Sequence, residues 1–559
     1  MLSSSPFQFL PPHVVRLIVN HVVGSSRQVF ADIEPNSNEW NTLLKPLLWI
    51  CHNFRAVAYP LYCSRFKLEL SNSQNYHRFL KYANTTPFYI GYRMNNNLGY
   101  PTHHLAKTLD VEIDEESIYS GKALKMLSRK PYNGCAFPLV CKIVFAIVTD
   151  KDLEGKRAKS NITKFVQRIK QMAPKVDDIW VRPADYNATC YESSPIYGSL
   201  VSQLFQLAHR VQYGEAGEPV TSVDLELDGI CNLVHIKCTT GDYDESFVKL
   251  ARQNSTTLES LIIETDRGIN VPSIIRRKND DYVTYPHLHT LKLGGNPVYD
   301  DMLFPVLPGA VPFPSLRHLK IYYEYTFGDD VVFRGNAATL ESLDLYLSYS
   351  TTSVLRQFSV FTPTSHLKLR HVGLWGLDDF MPDLFATITE AMQFAMGIGP
   401  TASRRCIDVY ANGAELTPTL SQLDGLDSIQ VLSLSVKSLE LWDVITLIKE
   451  LPMMSDLTTP SPAIGALPDG VAMDELPKYM VSTYSPTGER FRCWHIGSSS
   501  TNVFTVEAEC VLLLALACPN FTLVVPPYGR HKEFAVWLEI EIASEMFKPY
   551  TPRLKSFID

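Results

Sequence analysis

A short apolar pattern, apolar-x-x-apolar-x-apolar, returns along the chain and constrains its fold more than any other feature. The clearest copies begin at Leu258, Leu288, Leu316, Leu340 and Leu369. Their middle apolar positions (261, 291, 319, 343 and 372) are separated by steps of 30, 28, 24 and 29 residues. A period of this length predicts one small structural unit stacked many times, so that each copy buries its neighbour.

Each copy predicts a short β-strand, because apolar residues alternate with polar ones at a period of two. More helical stretches such as 243–251 lie between copies, and Tyr285-Pro286 and Phe313-Pro314 each precede a strand, where proline ends a helix and extends the chain. We therefore predict the α/β class, with a parallel strand array and helices on its other face. The repeated segments resemble irregular leucine-rich repeats, and this resemblance implies a solenoid.

The domain organisation follows from where this pattern holds. We expect a helical module over 1–63, a solenoid over 64–525 with its clearest repeats at 258–375, and a C-terminal cap over 526–559. Residues 457–500 are rich in Pro, Gly, Ser and Thr and predict a long loop or insertion in the array. At 559 residues the chain exceeds the size of one hydrophobic core, which agrees with this division.

Net charge, cysteine content and hydropathy indicate which partners and which cellular compartment to expect. A formal net charge of −8 gives no electrostatic reason to expect nucleic acid or an anionic membrane as partner. The 11 cysteines are scattered without a Cys-x-x-Cys pair, which favours a reducing compartment over a disulfide framework. The longest purely apolar run, 511–517, is far below the roughly 18 residues of a membrane span. We expect a cytoplasmic or nuclear protein.

Motifs for catalysis and cofactor binding were sought along the whole chain. It contains no glycine-rich phosphate loop, no Gly-x-Ser-x-Gly elbow and no His-Glu-x-x-His sequence. His103-His104 has no further ligand at metal-binding spacing, and the recurring Asp-Asp pairs, such as Asp300-Asp301, are typical of helix N-caps. The sequence therefore predicts a protein that is not an enzyme and has no cofactor or metal.

The first residues carry a second, separate signal. Leu10-Pro11 opens an amphipathic segment through Ile18, and an apolar segment at 47–58 contains Cys51 and Phe54-Arg55. Together the two segments resemble the F-box family, in its divergent, fungal-type form: the spacer at 24–40 is longer than usual, and Phe54 stands where the family has Trp.

The resemblance implies a partner, because F-box modules dock on the Skp adaptor subunit of a cullin–RING ubiquitin ligase. By correspondence with the family pattern and the apolar face, the docking residues would be Leu10, Pro11, Val14, Ile18, Leu47, Ile50 and Phe54. The alternative is that these helices only cap the end of the repeat array, since an amphipathic pattern alone is common.

A candidate recognition surface follows from the strand pattern. Residues between and just after the last two apolar positions of each copy point away from the core, and neighbouring strands lie about 4.8 Å apart. They form a predicted substrate-binding patch of Lys292, Lys320, Tyr322, Asp344, Tyr346 and Trp375. Aromatic side chains with flanking charge are typical of protein-binding hot spots, although they also pack against loops and helices.

Together these features favour a substrate-recognition adaptor of an SCF-type ubiquitin ligase. The N-terminal helices would bind the Skp adaptor subunit and so the cullin ligase, and the repeat surface would bind an unknown substrate protein. The alternative is a non-catalytic leucine-rich-repeat scaffold that uses the same surface without a ligase. The sequence leaves open the identity of the substrate and any need for its phosphorylation.

Overall fold

The computed structural model divides into two compact units, 1–285 and 286–559. The structure describes residues 14–15, 65–70, 106–128, 136–148, 156–183, 195–214, 225–240, 245–265, 271–275, 282–294, 311–322, 335–336, 338–346, 368–375, 406–415, 428–460, 463–484, 490–496, 504–518, 520–521, 523–525 and 531–558.

The first unit contains seven strands in its described part, each hydrogen-bonded in parallel to the next strand along the chain. The strands are β1 (Arg65–Glu69), β2 (Thr108–Asp114), β3 (Lys142–Val148), β4 (Asp178–Pro183), β5 (Arg210–Tyr213), β6 (His235–Thr240) and β7 (Ser260–Thr265). Parallel pairing of consecutive strands requires a crossover after every strand, which is the arrangement that the repeat pattern predicts.

Helices supply most of these crossovers. They are α1 (Glu115–Tyr119), α2 (Lys122–Leu127), α3 (Lys156–Met172), α4 (Pro195–Phe205), α5 (Glu245–Gln253) and α6 (Val271–Ile275). The longest, α3, buries Ile162, Phe165 and Ile169, which recur at helical spacing on one face. Polar residues such as Lys164 and Arg168 lie between them, so the amphipathic pattern of the sequence sets which side of the helix is covered.

The second unit repeats the same scheme with nine parallel strands in its described part, again paired in chain order. They are β8 (Thr290–Gly294), β9 (His318–Tyr322), β10 (Ser342–Tyr346), β11 (His371–Trp375), β12 (Cys406–Glu415), β13 (Val431–Ser438), β14 (Asp456–Thr459), β15 (Cys493–Ile496) and β16 (Leu523–Val525).

The helices that the structure describes in this unit follow β13 in the chain. They are α7 (Leu441–Glu450), α8 (Leu476–Tyr484), α9 (Phe504–Ala517), α10 (His531–Ile542) and α11 (Thr551–Ile558), with 3-10 turns at Met473–Glu475 and Lys548–Tyr550. A reciprocal capping box between Glu440 and Asp443 fixes the start of α7. The core residues of α9 from Ala508 to Ala517 are buried on all sides except at Glu509, as its almost uninterrupted apolar sequence predicts.

The strands separate an apolar face from a polar one. In the second unit, four neighbouring strands each place an apolar residue at the same register position, and each of these residues is at most 1% exposed: Leu291, Leu319, Leu343 and Val372. Polar residues precede and follow each of them, and point to the opposite face. The α/β class with a parallel array of repeat strands is thereby confirmed.

Two repeats share a tight turn just before the strand, here called the corner, which the strand pattern does not predict. The sequence Asn-x-x-Thr-Leu-Glu-Ser-Leu begins at Asn254 and again at Asn336. In both copies the asparagine carbonyl accepts hydrogen bonds from the backbone N–H groups of the Thr and the Leu, at 2.9 to 3.0 Å. The hydroxyls of Thr257 and Thr339 each donate to a carbonyl of the preceding repeat, at 2.8 Å. The corner therefore links each strand to the one before it.

The buried Asn254 side chain makes this link stronger in the first unit. Its amide donates to the Ile230 carbonyl at 2.8 Å and to the Leu250 carbonyl at 2.9 Å, while its oxygen accepts from the Leu233 N–H at 2.9 Å. One side chain thus supplies hydrogen-bond partners to the Ile230 carbonyl and the Leu233 N–H and a second donor to the Leu250 carbonyl.

The prediction for 457–500 is wrong. This region contains most of β14, then Met473–Glu475, α8 and β15, so it holds regular repeat structure rather than one long loop. Gly465 and Gly470, both with positive φ, lie in the connection between β14 and Met473–Glu475, where the Trp442 indole donates to the Ala466 carbonyl at 2.7 Å. Composition over a wide window concealed strands only four residues long.

The ends of the chain differ in how much of them is described. Of the predicted module at 1–63, only Val14 and Val15 lie within the described residues; both are helical, and Val15 is fully buried. The region 526–559, predicted as a C-terminal cap, contains α10 and α11. No helix within the described ranges is long and apolar enough to cross a membrane.

Candidate interaction surface

The predicted patch lies on the polar face of the second unit, where strand register brings its members into a row. Lys292 pairs with Lys320, Lys320 with Asp344, Asp344 with Gly373, and Gly373 with Asp408. Because these positions share one register, their side chains stand side by side across β8 to β12. Tyr346 and Trp375 form the next pair along β10 and β11.

Three of the predicted residues make direct contact. The Trp375 indole donates a hydrogen bond to Asp344 Oδ1 at 3.1 Å, and Lys320 Nζ lies 3.9 Å from Asp344 Oδ2. The same ammonium stands 4.8 Å from the centroid of the Trp375 ring, which is cation–π distance. The aromatic and charged groups therefore form one connected cluster on β9, β10 and β11.

Gly373 makes this cluster possible. It lies between Asp344 and Trp375, and a Cβ atom at this position would collide with Asp344 Oδ1 and approach Trp375 Nε1 to 2.9 Å. The absence of a side chain lets the carboxylate and the indole meet across β11. A glycine inside a strand is typical of such a close approach.

Sequence reasoning missed three further members of this cluster. His371 Nε2 lies 3.1 Å from Asp344 Oδ1 and 3.7 Å from Asp408 Oδ2, so its imidazole bridges carboxylates on β10 and β12. Cys406 Sγ lies 3.7 Å from Asp408 Oδ1. The available signal was strand periodicity: Asp408 continues the predicted row, and His371 and Cys406 lie two residues before it on the same face of their strands.

The charges of this cluster depend on one another. Burial by itself would lower the pKa of His371, but hydrogen bonds with Asp344 and Cys406 raise it to about 10. Burial opposes ionisation of Asp344, yet the hydrogen bond from His371 and the charges of His371 and Lys320 lower its pKa. Burial and the charge of Asp344 raise the pKa of Asp408. Near neutral pH the cluster holds an imidazolium paired with Asp344.

The other predicted patch residues are less informative. Lys292 is half-buried in β8, beside Lys320 in the register. Tyr322 and Tyr346 end β9 and β10, but their side chains lie outside the described part of the structure. The predicted patch is therefore centred on Lys320, Asp344 and Trp375, and its extension by the two tyrosines stays a prediction.

The predicted Skp-docking residues fall almost entirely outside the described ranges. This holds for Leu10, Pro11, Ile18, Leu47, Ile50 and Phe54. Val14 alone is described, and it is helical and half-buried. Their role in partner binding stays a prediction.

The first unit carries a charged and aromatic cluster of its own. The Trp180 ring lies 5.4 Å from Lys142 Nζ and 5.9 Å from the Arg182 guanidinium, and Lys142 forms an ion pair with Asp178 at 3.2 Å. The Trp180 indole donates to the Gly214 carbonyl at 2.8 Å, which holds the ring in place. This cluster was not among the predicted site residues, although its strand pattern matches that of the second unit.

Two groups in the described part of the second unit have side chains that could hold a metal ion: His371, Cys406 and Asp408 in the cluster above, and Asp456, Cys493 and His495 further along the chain. Asp456 begins β14, and Cys493 and His495 lie on β15, with Asp456 and Cys493 directly paired in the register. Burial and the charge of Asp456 raise the pKa of the Cys493 thiol to about 12, and burial lowers the pKa of His495. From the sequence we predicted no metal site, at these positions or elsewhere.

Parallel strands, one per repeat and joined largely by helices, define a repeat protein with a structured polar face. No family model matches the chain, and no curated protein matches it. Among solved structures it is similar to the crystal structure of the Rad7 and Elc1 complex in yeast, with 12% sequence identity and a TM-score of 0.36. That similarity covers 83% of this chain and 93% of the other, and at this level it carries no argument about function.

Proposed function

We propose that this protein is a leucine-rich-repeat substrate-recognition adaptor of an SCF-type cullin–RING ubiquitin ligase. The observation that carries the recognition half of the proposal is the contact of Lys320, Asp344 and Trp375 on the polar face of the second unit. The F-box-like sequence of residues 1–63 carries the ligase half. The proposal assigns no catalytic step to this chain.

The recognition surface suits a protein partner for physical reasons. Lys320 and Asp344 already compensate each other in charge, and Trp375 is held by both, so the aromatic ring is presented with little remaining freedom. Rigid aromatic side chains surrounded by satisfied polar groups bury large area at small entropic cost. We propose that a substrate protein places an apolar or cationic side chain against this ring.

The mechanism of such an adaptor is positional. Binding a substrate by one part of the chain and the ligase by another raises the local concentration of substrate lysines near the charged conjugating enzyme. The rate of transfer then depends on proximity and orientation, and the chemistry belongs to the enzyme partners. A repeat protein is suited to this role because its extended polar face offers a broad surface for recognition.

The test of the ligase half is co-expression of the full chain with a Skp adaptor subunit, followed by co-purification. We expect a complex with the wild type and none with the triple variant Leu10→Ala, Pro11→Ala, Ile18→Asp. The matched control is Leu139→Ala, which changes an exposed apolar residue, 47% accessible, outside the predicted module. Circular dichroism on each variant establishes that the chain is folded.

Failure of the folded wild type to bind the adaptor would overturn the ligase half. The scaffold alternative would then take its place, with the N-terminal helices acting as a cap. The recognition half is tested separately, by proximity labelling in cells with the wild type, Trp375→Ala and the control Trp537→Ala on α10. We expect a set of labelled proteins that is lost with Trp375→Ala alone; identical labelling by both variants would overturn this assignment of the surface.

A further inference from the structure

Neighbouring strands of the second unit place a carboxylate, a thiol and an imidazole together. Asp456 is the first residue of β14 and pairs in register with Cys493, the first residue of β15. His495 lies two positions further along β15, which puts its side chain on the same face as that of Cys493. Asp456 and Cys493 are 37 residues apart in the sequence (493 − 456), and the pairing of β14 with β15 brings them together.

The distances among these groups suit a single ion. Cys493 Sγ lies 3.2 Å from His495 Nε2, and the ligand atoms of all three residues lie within 4.8 Å of one another. Bonds of about 2.0 to 2.3 Å at tetrahedral angles separate neighbouring ligand atoms by roughly 3.3 to 3.7 Å. The Cys493–His495 separation is already close to this range, and no other pair of ligand atoms exceeds it by more than about 1 Å.

The surroundings of Asp456 distinguish this cluster from the one around His371. Within the described ranges, no salt bridge reaches Asp456; its oxygen accepts a hydrogen bond from the Ser455 hydroxyl. In the other cluster His371 and Lys320 already supply positive charge to Asp344, and His371 also reaches Asp408. A cation therefore completes the charge balance at Asp456, whereas at the other cluster it would compete with an existing cation.

We propose that Asp456, Cys493 and His495 form a binding site for Zn²⁺. Thiolate sulfur, imidazole nitrogen and carboxylate oxygen are the three ligand types that zinc combines in proteins. The Ser455 hydroxyl orients the carboxylate from behind, as outer hydrogen bonds do in zinc sites. Three protein ligands leave a fourth position, which water or a side chain of a bound partner fills. The ion joins β14 to β15 and extends the structured polar face beyond the Trp375 cluster.

The experiment uses cobalt as a spectroscopic substitute for zinc. The full-length chain is purified, stripped with a chelator and titrated with Co²⁺, while absorption is recorded in the near ultraviolet, where a thiolate bound to cobalt gives a charge-transfer band. We expect a band that saturates at a single ion per chain and is displaced by Zn²⁺. Competition with a chromophoric chelator gives the zinc affinity, which should fall at least about tenfold in Asp456→Asn and His495→Gln.

Variants assign the band to its ligands. Cys493→Ser should abolish it, whereas Cys406→Ser, the matched change in the His371 cluster, should leave it intact. Because Cys493 is buried and its replacement can unfold the chain, Asp456→Cys provides a second route. It keeps Cys493 and adds a thiolate, so the band should grow roughly twofold.

Three results would overturn the zinc proposal. A folded wild type that binds no Co²⁺ overturns the proposal, as does a band that survives in Cys493→Ser. A band lost in Cys406→Ser but kept in Cys493→Ser also overturns it, because the ion then belongs to the other cluster. None of these results depends on whether the chain binds a ligase.

Discussion

Replacement of His371 by Gln removes the positive charge between two carboxylates while keeping a hydrogen-bond donor. His371 Nε2 lies 3.1 Å from Asp344 Oδ1, and the amide nitrogen of Gln reaches the same region of space. The change therefore isolates the charge of the imidazolium from its shape and its hydrogen bond. We expect the second unit to lose stability, and to lose it in a pH-dependent way.

The magnitude follows from the pKa of His371. Its rise from 6.5 to about 10 corresponds to about 5 kcal/mol of stabilisation when the imidazole is charged, at about 1.4 kcal/mol per unit. This is an upper limit, because the side chain keeps 24% of its area exposed and part of the interaction is screened. Allowing about half, we expect His371→Gln to cost about 2 kcal/mol at pH 7.

The direction of the pH dependence is set by the sign of the shift. Because the folded pKa lies above the unfolded one, the stabilisation is complete below pH 6.5 and disappears as the pH rises through 10. The difference between wild type and His371→Gln should therefore shrink to below about 1 kcal/mol at pH 9. The low pKa of Asp344 keeps its carboxylate charged throughout this range.

The assay is urea unfolding of the full-length chain at pH 6, 7, 8 and 9, followed by tryptophan fluorescence, to which Trp375 in the same cluster contributes. The matched control is His318→Gln, an exposed histidine on β9 that shares the register position of His371 through Ser342. A loss of stability below about 0.5 kcal/mol at pH 7, or a loss that stays constant to pH 9, would refute the reasoning.

Three further predictions concern stability and can be measured by the same unfolding assay at pH 7. Gly373→Ala should cost about 1 to 3 kcal/mol, because its methyl group displaces Asp344; the control is the same change in an Asp344→Ala background, where an equal cost would contradict the argument. Asn254→Ala should cost about 2 to 4 kcal/mol, because it leaves buried backbone groups unpaired; a cost below 1 kcal/mol would show that water replaces the amide. Trp494→Phe removes both a buried hydrogen bond of 2.9 Å to Thr459 Oγ1 and part of a buried ring, and its cost should fall by about 1 kcal/mol in a Thr459→Val background, whereas an equal cost in both backgrounds would contradict the role of the bond.

The clusters around Trp375 and Asp456 offer a binding partner different kinds of contact. Around Trp375 the charges compensate one another within the chain, so recognition there depends on the shape and polarisability of the ring. Around Asp456 the ligand set is completed by an ion, so a partner can bind through the fourth coordination position. Both clusters lie on the polar faces of repeat strands, opposite the apolar face that carries Leu343 and Leu457.

The sequence by itself determined the local structure of the repeats. Alternation of apolar and polar residues around Leu291, Leu319 and Leu343 dictated strands with one buried face, and the repeat period dictated that consecutive strands are parallel. The polar positions within each strand could then be assigned to the opposite face. Lys320, Asp344 and Trp375 were found in this way, because a strand alternates its side chains wherever it lies.

Only the tertiary structure decided which polar side chains meet. The segments between strands differ in length, so the sequence distance between two residues does not give their register; His371 contacts Asp344 from 27 residues away, and Cys493 pairs with Asp456 from 37. The short strands β14 and β15 were hidden for the same reason, since turn-forming residues surround them. Their pairing depends on a hydrogen-bonded neighbour that only the folded array supplies.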